Sequence, residues 1–387
     1  MCPAIAGTPK KPAITVADLP KLFDPDKLTD PTVAAAAVKQ IDEAYRGHTQ
    51  PEAVRMLLAI LRNQMNGESG WFGPAETRYN YAWLAKRCGA DKAIPRSKFP
   101  GPDSAFQLLD RNKDGRITAN DLDWSDRNPD VQMLALTNRV YRKLNTAGNG
   151  RLTKDDLAKF FEQAAKGKDF LSLEDFRDAM MAGQSGGFLP GDAPTLPILV
   201  RGLYEGSLGS MSEGPKVEQT APDFTLKTVD GKKSITLSKV IGKKPVVLVL
   251  GNFTCTPFRS LYGAMESMYQ RHKEDANFVM VYVREAHPTD GWKMETNTRL
   301  GVSEKQPTTL QERNAVAGRF CERLKATMPF VVDDIHDPVG TAYSGMPGRV
   351  YIIDTNGKIA YKSGRGPFGF RFGEMEQALA MALLEAK

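Results

Sequence analysis

The chain has 387 residues, of which 41% are hydrophobic and 25% charged, and its net charge is +6. That length predicts two or three domains of ordinary globular composition. The charge is modest, and without a basic tract interleaved with aromatics it argues against nucleic acid as a partner. No run could span a bilayer, and the cysteines (Cys2, Cys88, Cys255, Cys321) form no CxxC pair. The expectation is a cytoplasmic, reducing setting with at most one working thiol and no membrane partner.

Residues 1–30 are rich in Pro and Lys and read as a loose arm. Residues 31–100 read as helical support. Apolar side chains recur at helical spacing in Ala37, Ile41 and Tyr45, then in Val54, Leu57, Leu58 and Leu61, with Thr49-Gln-Pro-Glu as a start signal. Gly70-Trp-Phe-Gly-Pro reads as a turn, and Ala75 to Arg87 as an aromatic-rich helix.

Residues 101–182 carry the first recognisable chemistry. In Asp110-Arg-Asn-Lys-Asp-Gly-Arg-Ile-Thr-Ala-Asn-Asp121, oxygen donors fall at Asp110, Asn112, Asp114, Thr118 and Asp121, and Arg116 can offer its carbonyl. Gly115 stands where a calcium loop must turn sharply, and Ile117 at the apolar position that pairs with a sister loop. The stretch resembles an EF-hand, which implies calcium at those residues. Asp121 departs from the usual Glu, and its shorter reach should weaken calcium or favour magnesium. Asn145 to Asp156 repeats the pattern with Ala147 in place of a ligand oxygen. That copy is expected to pair with the first loop and bind metal poorly. Lys168 to Phe176 reads as the exit half of a third hand. Residues 183–216 are rich in Gly, Pro and Ser and read as a linker.

In residues 217–387, Ala221-Pro-Asp-Phe-Thr-Leu and Ser234-Ile-Thr-Leu read as a hairpin. Val246 to Leu250 is an apolar, β-branched run, hence a strand buried on both faces. A helix follows from Pro257 through Leu261, Met265 and Met268. Cys255 sits between them, where free N–H groups and the helix dipole favour a thiolate, so it is a candidate nucleophile. A second strand (Asn277 to Val283), a helix (Thr309 to Lys325), a third strand at Phe330, a hairpin around Thr355-Asn-Gly and a last helix (Glu374 to Glu385) complete an α/β sheet.

That order resembles the thioredoxin fold, with Cys255 after the first core strand and Gly345-Met-Pro-Gly348 before the next-to-last. The resemblance implies a cis Pro347 facing Cys255. Phe258 replaces the second cysteine of Cys-x-Pro-Cys, so no local resolving thiol exists. A closer resemblance, to the iodothyronine deiodinases, covers most of residues 217–385. Gly251-Asn-Phe-Thr-Cys-Thr-Pro-Phe258 looks like that family's Gly-Ser-x-Thr-Sec-Pro-Pro-Phe, and Tyr282-Val-Arg-Glu-Ala-His-Pro-Thr-Asp-Gly-Trp292 like its Tyr-Ile-Glu-Glu-Ala-His-x-Ser-Asp-Gly-Trp. Gly364-Arg-Gly-Pro-Phe-Gly-Phe370 looks like Gly-Arg-Gly-Pro-x-Gly-Tyr.

The deiodinase resemblance implies that Cys255 attacks the halogen of an iodinated aromatic substrate. Glu285 and His287 would serve a proton path beside Tyr282, Thr254 would bond near the nucleophile, and Arg365 would grip the substrate's polar end. It also implies a thiol reductant of thioredoxin or glutathione type and a homodimer. A soft thiolate suits iodine, and a histidine suits proton transfer near neutral pH. The departures are Phe253, Arg284, Pro307 and Gly348, cysteine in place of selenium, and a helical region in place of a membrane anchor. The whole chain is thus expected to be an α/β thioredoxin-like domain behind an all-α, EF-hand-like region, acting as a deiodinase-like oxidoreductase. Two rival readings are a peroxiredoxin-like thiol oxidoreductase and a calcium-responsive binding module with an inactive thioredoxin-like half.

Overall fold

The structure is a computed structural model that describes residues 12–63, 74–181, 192, 194–366 and 369–386. Cys2, most of the Gly70–Pro74 turn, most of the first half of the linker and the Pro-Phe pair of the last motif lie outside the described residues.

Near the N-terminus, α1 (Pro31–Ala44) starts at Asp30, whose carboxylate accepts from the N–H groups of Thr32 and Val33, with Pro31 in the first turn. It packs on α2 (Glu52–Leu61). Then come β1 (Glu76–Thr77), α3 (Tyr81–Cys88), α4 (Asp103–Leu109), α5 (Pro129–Leu144), α6 (Lys154–Ala165), α7 (Leu173–Met181) and α8 (Leu196–Tyr204). The C-terminal half runs β2 (Thr225–Thr228), β3 (Ser234–Thr236), β4 (Val246–Gly251), α9 (Thr256–His272), β5 (Asn277–Tyr282), α10 (Glu295–Arg299), α11 (Leu310–Leu324), β6 (Phe330–Val332), β7 (Gly348–Ile353), β8 (Ile359–Lys362) and α12 (Phe372–Glu385).

These strands form one sheet in the order β1-β8-β7-β4-β5-β6-β2-β3. β4 runs parallel to β5 and antiparallel to β7, β5 is parallel to β6, and β7 and β8 form an antiparallel hairpin. A parallel βαβ unit beside an antiparallel ββα unit, with the first strand central, is the thioredoxin-like arrangement. Every residue of β4 is buried, because helices cover both faces. Each such Val or Leu contributes roughly 1.5–3 kcal/mol of burial.

The molecule has two hydrophobic cores whose limits differ from the expected boundaries. One joins α1 and α2 to Leu199, Val200 and Leu203 of α8, so the far end of the expected linker is a helix packed on the N-terminal pair. The other is built on the sheet and includes Tyr79, Leu84, Phe99, Phe106, Leu109 and Ile117. Residues 76–77 extend the sheet at β8, so residues on both sides of position 100 belong to one packing unit.

The hand-like loops do not pair with each other. Ile117 pairs with Ile94, which comes from a shorter sister segment, Ile94–Pro95, that carries no ligand pattern. Leu152, its expected partner, is 37% exposed. The second loop instead rests on α9. A Cβ on Gly150 would meet the Ser260 carbonyl oxygen at 2.8 Å, and one on Gly263 would meet the Gly150 carbonyl oxygen at 2.3 Å. Two glycines permit that backbone contact.

A candidate active site around Cys255

β4 ends at Gly251, where the Phe258 ring occupies the space a side chain would need. The buried Asn252 follows and ties three segments together. Its Oδ1 accepts from the N–H groups of Cys255 (3.0 Å) and Ala286 (3.3 Å), and its Nδ2 donates to the Pro347 carbonyl at 3.0 Å. The Met346–Pro347 bond is cis, as expected. Nothing in the spacing of motifs singled out Asn252; its one signal is a polar residue ending a wholly apolar strand.

Cys255 is the N-cap residue of α9, as the sequence places it. Thr254 links it to the segment after β5. Its N–H donates to Glu285 Oε2 (2.9 Å), and its Oγ1 accepts the His287 N–H (2.9 Å). The Tyr282 hydroxyl donates to Glu285 Oε1 and accepts the Phe253 N–H. Gln306 brackets the Glu285 backbone, accepting from its N–H at 3.0 Å. The ring of His287 stands edge-on to Trp292 at 4.5 Å, with Nδ1 3.3 Å from the Trp292 carbonyl. Cys255, Thr254, Tyr282, Glu285 and His287 thus form one connected site, with Pro347 joined to it through Asn252.

Its electrostatics correct two expectations. Cys255 has no exposed surface, and burial pushes its thiol up to about 12. The Phe258 N–H and the Arg259 guanidinium oppose that rise without cancelling it, so desolvation outweighs the helix N-terminus. Burial likewise takes His287 down to about 4, and the imidazole is neutral near pH 7 rather than a ready proton donor. Burial raises Glu285 against the hydrogen bonds of Tyr282 and Thr254, and it raises Tyr282 as well.

Arg365 lies elsewhere than a substrate-facing role requires. It has no exposed surface, and its Nε donates to Glu52 of α2 at 2.9 Å. Its Nη2 meets the carbonyls of Ser210 and Ser212 and the Ser344 hydroxyl. Arg349 shares the same Glu52 oxygen at 2.5 Å. The local motif contained no sign of this partner, 313 positions away in the chain.

In the first hand-like loop, Asp110 accepts from the N–H groups of Asp114 and Gly115, and Asp114 from that of Arg116. Asp121 is taken by Asn112 and by both donors of Thr118, while the Asn112 amide donates to Asp114. Among the described residues no group of three or more His, Cys, Asp or Glu side chains is gathered to hold a metal. In this arrangement Asp121 is turned back as a cap, its carboxylate bonded to Asn112 and Thr118.

Residues 200–382 match the family model of the iodothyronine deiodinases. These residues are thus similar to the iodothyronine deiodinase family. A type I iodothyronine deiodinase from Xenopus laevis is 30% identical over 155 residues, 40% of this chain and 59% of that protein. A type II enzyme from Sus scrofa is 32% identical over 155 residues, covering 40% of this chain and 57% of that protein. A thyroxine 5-deiodinase from Sparus aurata is 26% identical over 186 residues, covering 46% and 66%. The chain thus spans less than two thirds of these relatives. Among solved structures, a thiol:disulfide interchange protein of the thioredoxin family from Chlorobium tepidum is 15% identical, with a TM-score of 0.31, covering 43% of this chain and 97% of that one. The deiodinase-family region holds every residue of the Cys255 site and Arg365, while Glu52 and both hand-like loops lie outside it.

Proposed function

We propose that this protein is a thiol-dependent reductive deiodinase acting on an iodinated aromatic substrate with Cys255 as nucleophile. The observation that carries the reading is the network that joins Thr254, next to Cys255, to Glu285, Tyr282 and the His287 main chain within the family match. Cys255 Sγ bonds to iodine as the aryl carbon–iodine bond breaks, and the carbon takes a proton. The product is an aryl C–H and a sulfenyl iodide. One external thiol displaces iodide to give a mixed disulfide, and a second releases Cys255 as a thiol and leaves with the first as a disulfide. A buried carboxyl with a raised pKa suits proton delivery, which assigns Glu285 that task, with Tyr282 orienting it. The reductant would be of thioredoxin or glutathione type, and the setting a reducing, cytoplasmic one. No helix among the described residues is long and apolar enough to cross a membrane.

The test is iodide release from an iodothyronine with dithiothreitol. Wild-type protein should release iodide catalytically and Cys255→Ala none; equal release from both removes the reading. The complete burial of Cys255 favours a second reading, a binding module whose thiol does not turn over, and catalytic absence in wild type selects it. Calcium in the first loop is a separate proposal. Binding would require Asp121 to exchange its hydrogen bonds for the ion, and a calcium-dependent rise in melting temperature, lost in Asp110→Ala, is its measure.

A further inference from the structure

Among the described residues four arginines have almost no exposed surface: Arg259, Arg313, Arg349 and Arg365. A buried guanidinium is costly unless an anion compensates it. Arg313 has Asp337 at 3.2 Å, and Arg349 and Arg365 share Glu52. Arg259 differs. Its Nη1 donates to the Phe253 carbonyl, and its Nη2 to Thr256 Oγ1 (3.2 Å) and Asn297 Oδ1 (2.8 Å), all neutral oxygens. Among the described residues it makes no ion pair with a carboxylate.

Arg259 stands one helical turn after Cys255 on α9, and its own N–H donates to the Cys255 carbonyl at 3.1 Å. Its guanidinium thus sits at the N-terminal turn of α9, bound to the residues on either side of Cys255, the Phe253 carbonyl and Thr256 Oγ1. Asn297 completes the hold, because its Nδ2 donates to the Thr254 carbonyl at 2.7 Å. The other charged or titratable groups around this point are Glu285, His287 and Tyr282 on and after β5, and Arg323 on α11.

We propose that Arg259 is the counter-ion of the Cys255 thiolate and a positioning residue for it, the missing anion of this buried cation being the sulfur once ionised. Glu285 does not take that place: its oxygens go to Tyr282 and to the Thr254 N–H, and among the described residues no ion pair joins it to Arg259. The sulfur is held protonated by burial, and Arg259 is the group that makes ionisation attainable at the moment of attack. The inference deepens the deiodinase reading, because it concerns the same nucleophile.

The experiment uses full-length protein in which Cys255 is the only cysteine (Cys2→Ser, Cys88→Ser, Cys321→Ser). The rate of Cys255 alkylation by iodoacetamide is followed from pH 7 to 9, where it scales with the thiolate fraction. Arg259→Met should lower that rate at least tenfold across the range, corresponding to a thiol pKa higher by about one unit. Arg259→Lys should recover most of it, since it restores charge without the planar fork. In denaturant all three proteins should react alike. Unchanged rates in Arg259→Met, equal losses in Met and Lys variants, or a wild-type Cys255 that never reacts would each overturn the proposal. An Arg259-dependent rate in a protein that releases no iodide removes the deiodinase reading alone.

Discussion

Glu52 and Arg259 show two ways of keeping a buried charge in one molecule. At Glu52, a carboxylate from the N-terminal helix pair is shared by Arg349 and Arg365 of the sheet half. Burial alone would raise its pKa, but Arg349 and then Arg365 hold it well below the ordinary carboxylate range. At Arg259 a cation is bound by neutral oxygens only, beside a thiol. The first arrangement has its anion, one carboxylate serving two guanidiniums, and holds two parts of the chain together; the second lacks an anion and leaves that place to chemistry.

The largest effect should come from opening the Glu52 arrangement. Glu52→Ala leaves two buried guanidiniums without their anion and should cost about 3–5 kcal/mol in denaturant unfolding. A cost comparable to a surface substitution would dissolve the contrast. Because the Glu52 pKa is depressed in the fold, its contribution is present above the unfolded carboxylate pKa and is lost as the pH falls below it.

His287 gives the next effect, because burial and then the nearby Arg259 charge disfavour its imidazolium. With the folded pKa near 4, the unfolded chain binds the proton first, so stability should be full above about pH 6.5 and fall towards pH 4. The loss is on the order of 3 kcal/mol, and His287→Asn should flatten that part of a stability-versus-pH curve. An unchanged slope would show that the imidazole is solvated. The smallest effect sharpens the comparison from the other side. Arg259→Met strands the Phe253 and Asn297 oxygens and should cost about 1–3 kcal/mol, less than Glu52→Ala, while altering thiol reactivity far more.

What could be read in advance was local. The apolar run of β4, the helix start at Pro257, the Thr355-Asn-Gly turn and the motif around Glu285 and His287 each lie within a few residues, and the structure has them in place. The Cys255 thiol was legible as to position but not as to state. Its burial depends on elements far along the chain, whereas the helix terminus that favours ionisation adjoins it. Arg259 falls within the helix read from Pro257 onwards but gave no signal of its own, since a charged residue on an amphipathic helix ordinarily faces water. Glu52 was hidden for the converse reason. It reads as a first-turn acid complementing a helix dipole, and nothing nearby points to partners on another core. Ile117 found Ile94 rather than Leu152 because a nearer strand segment competes for the same edge, and that segment bears no ligand pattern.

The meeting of Gly150 and Gly263 has one more consequence. There, main chain lies on main chain with room only for hydrogen, so neither the hand-like loop nor the nucleophile's helix can slip by a residue without a carbon colliding with a carbonyl. Any displacement of that loop must therefore push on the helix whose first turn carries the sulfur.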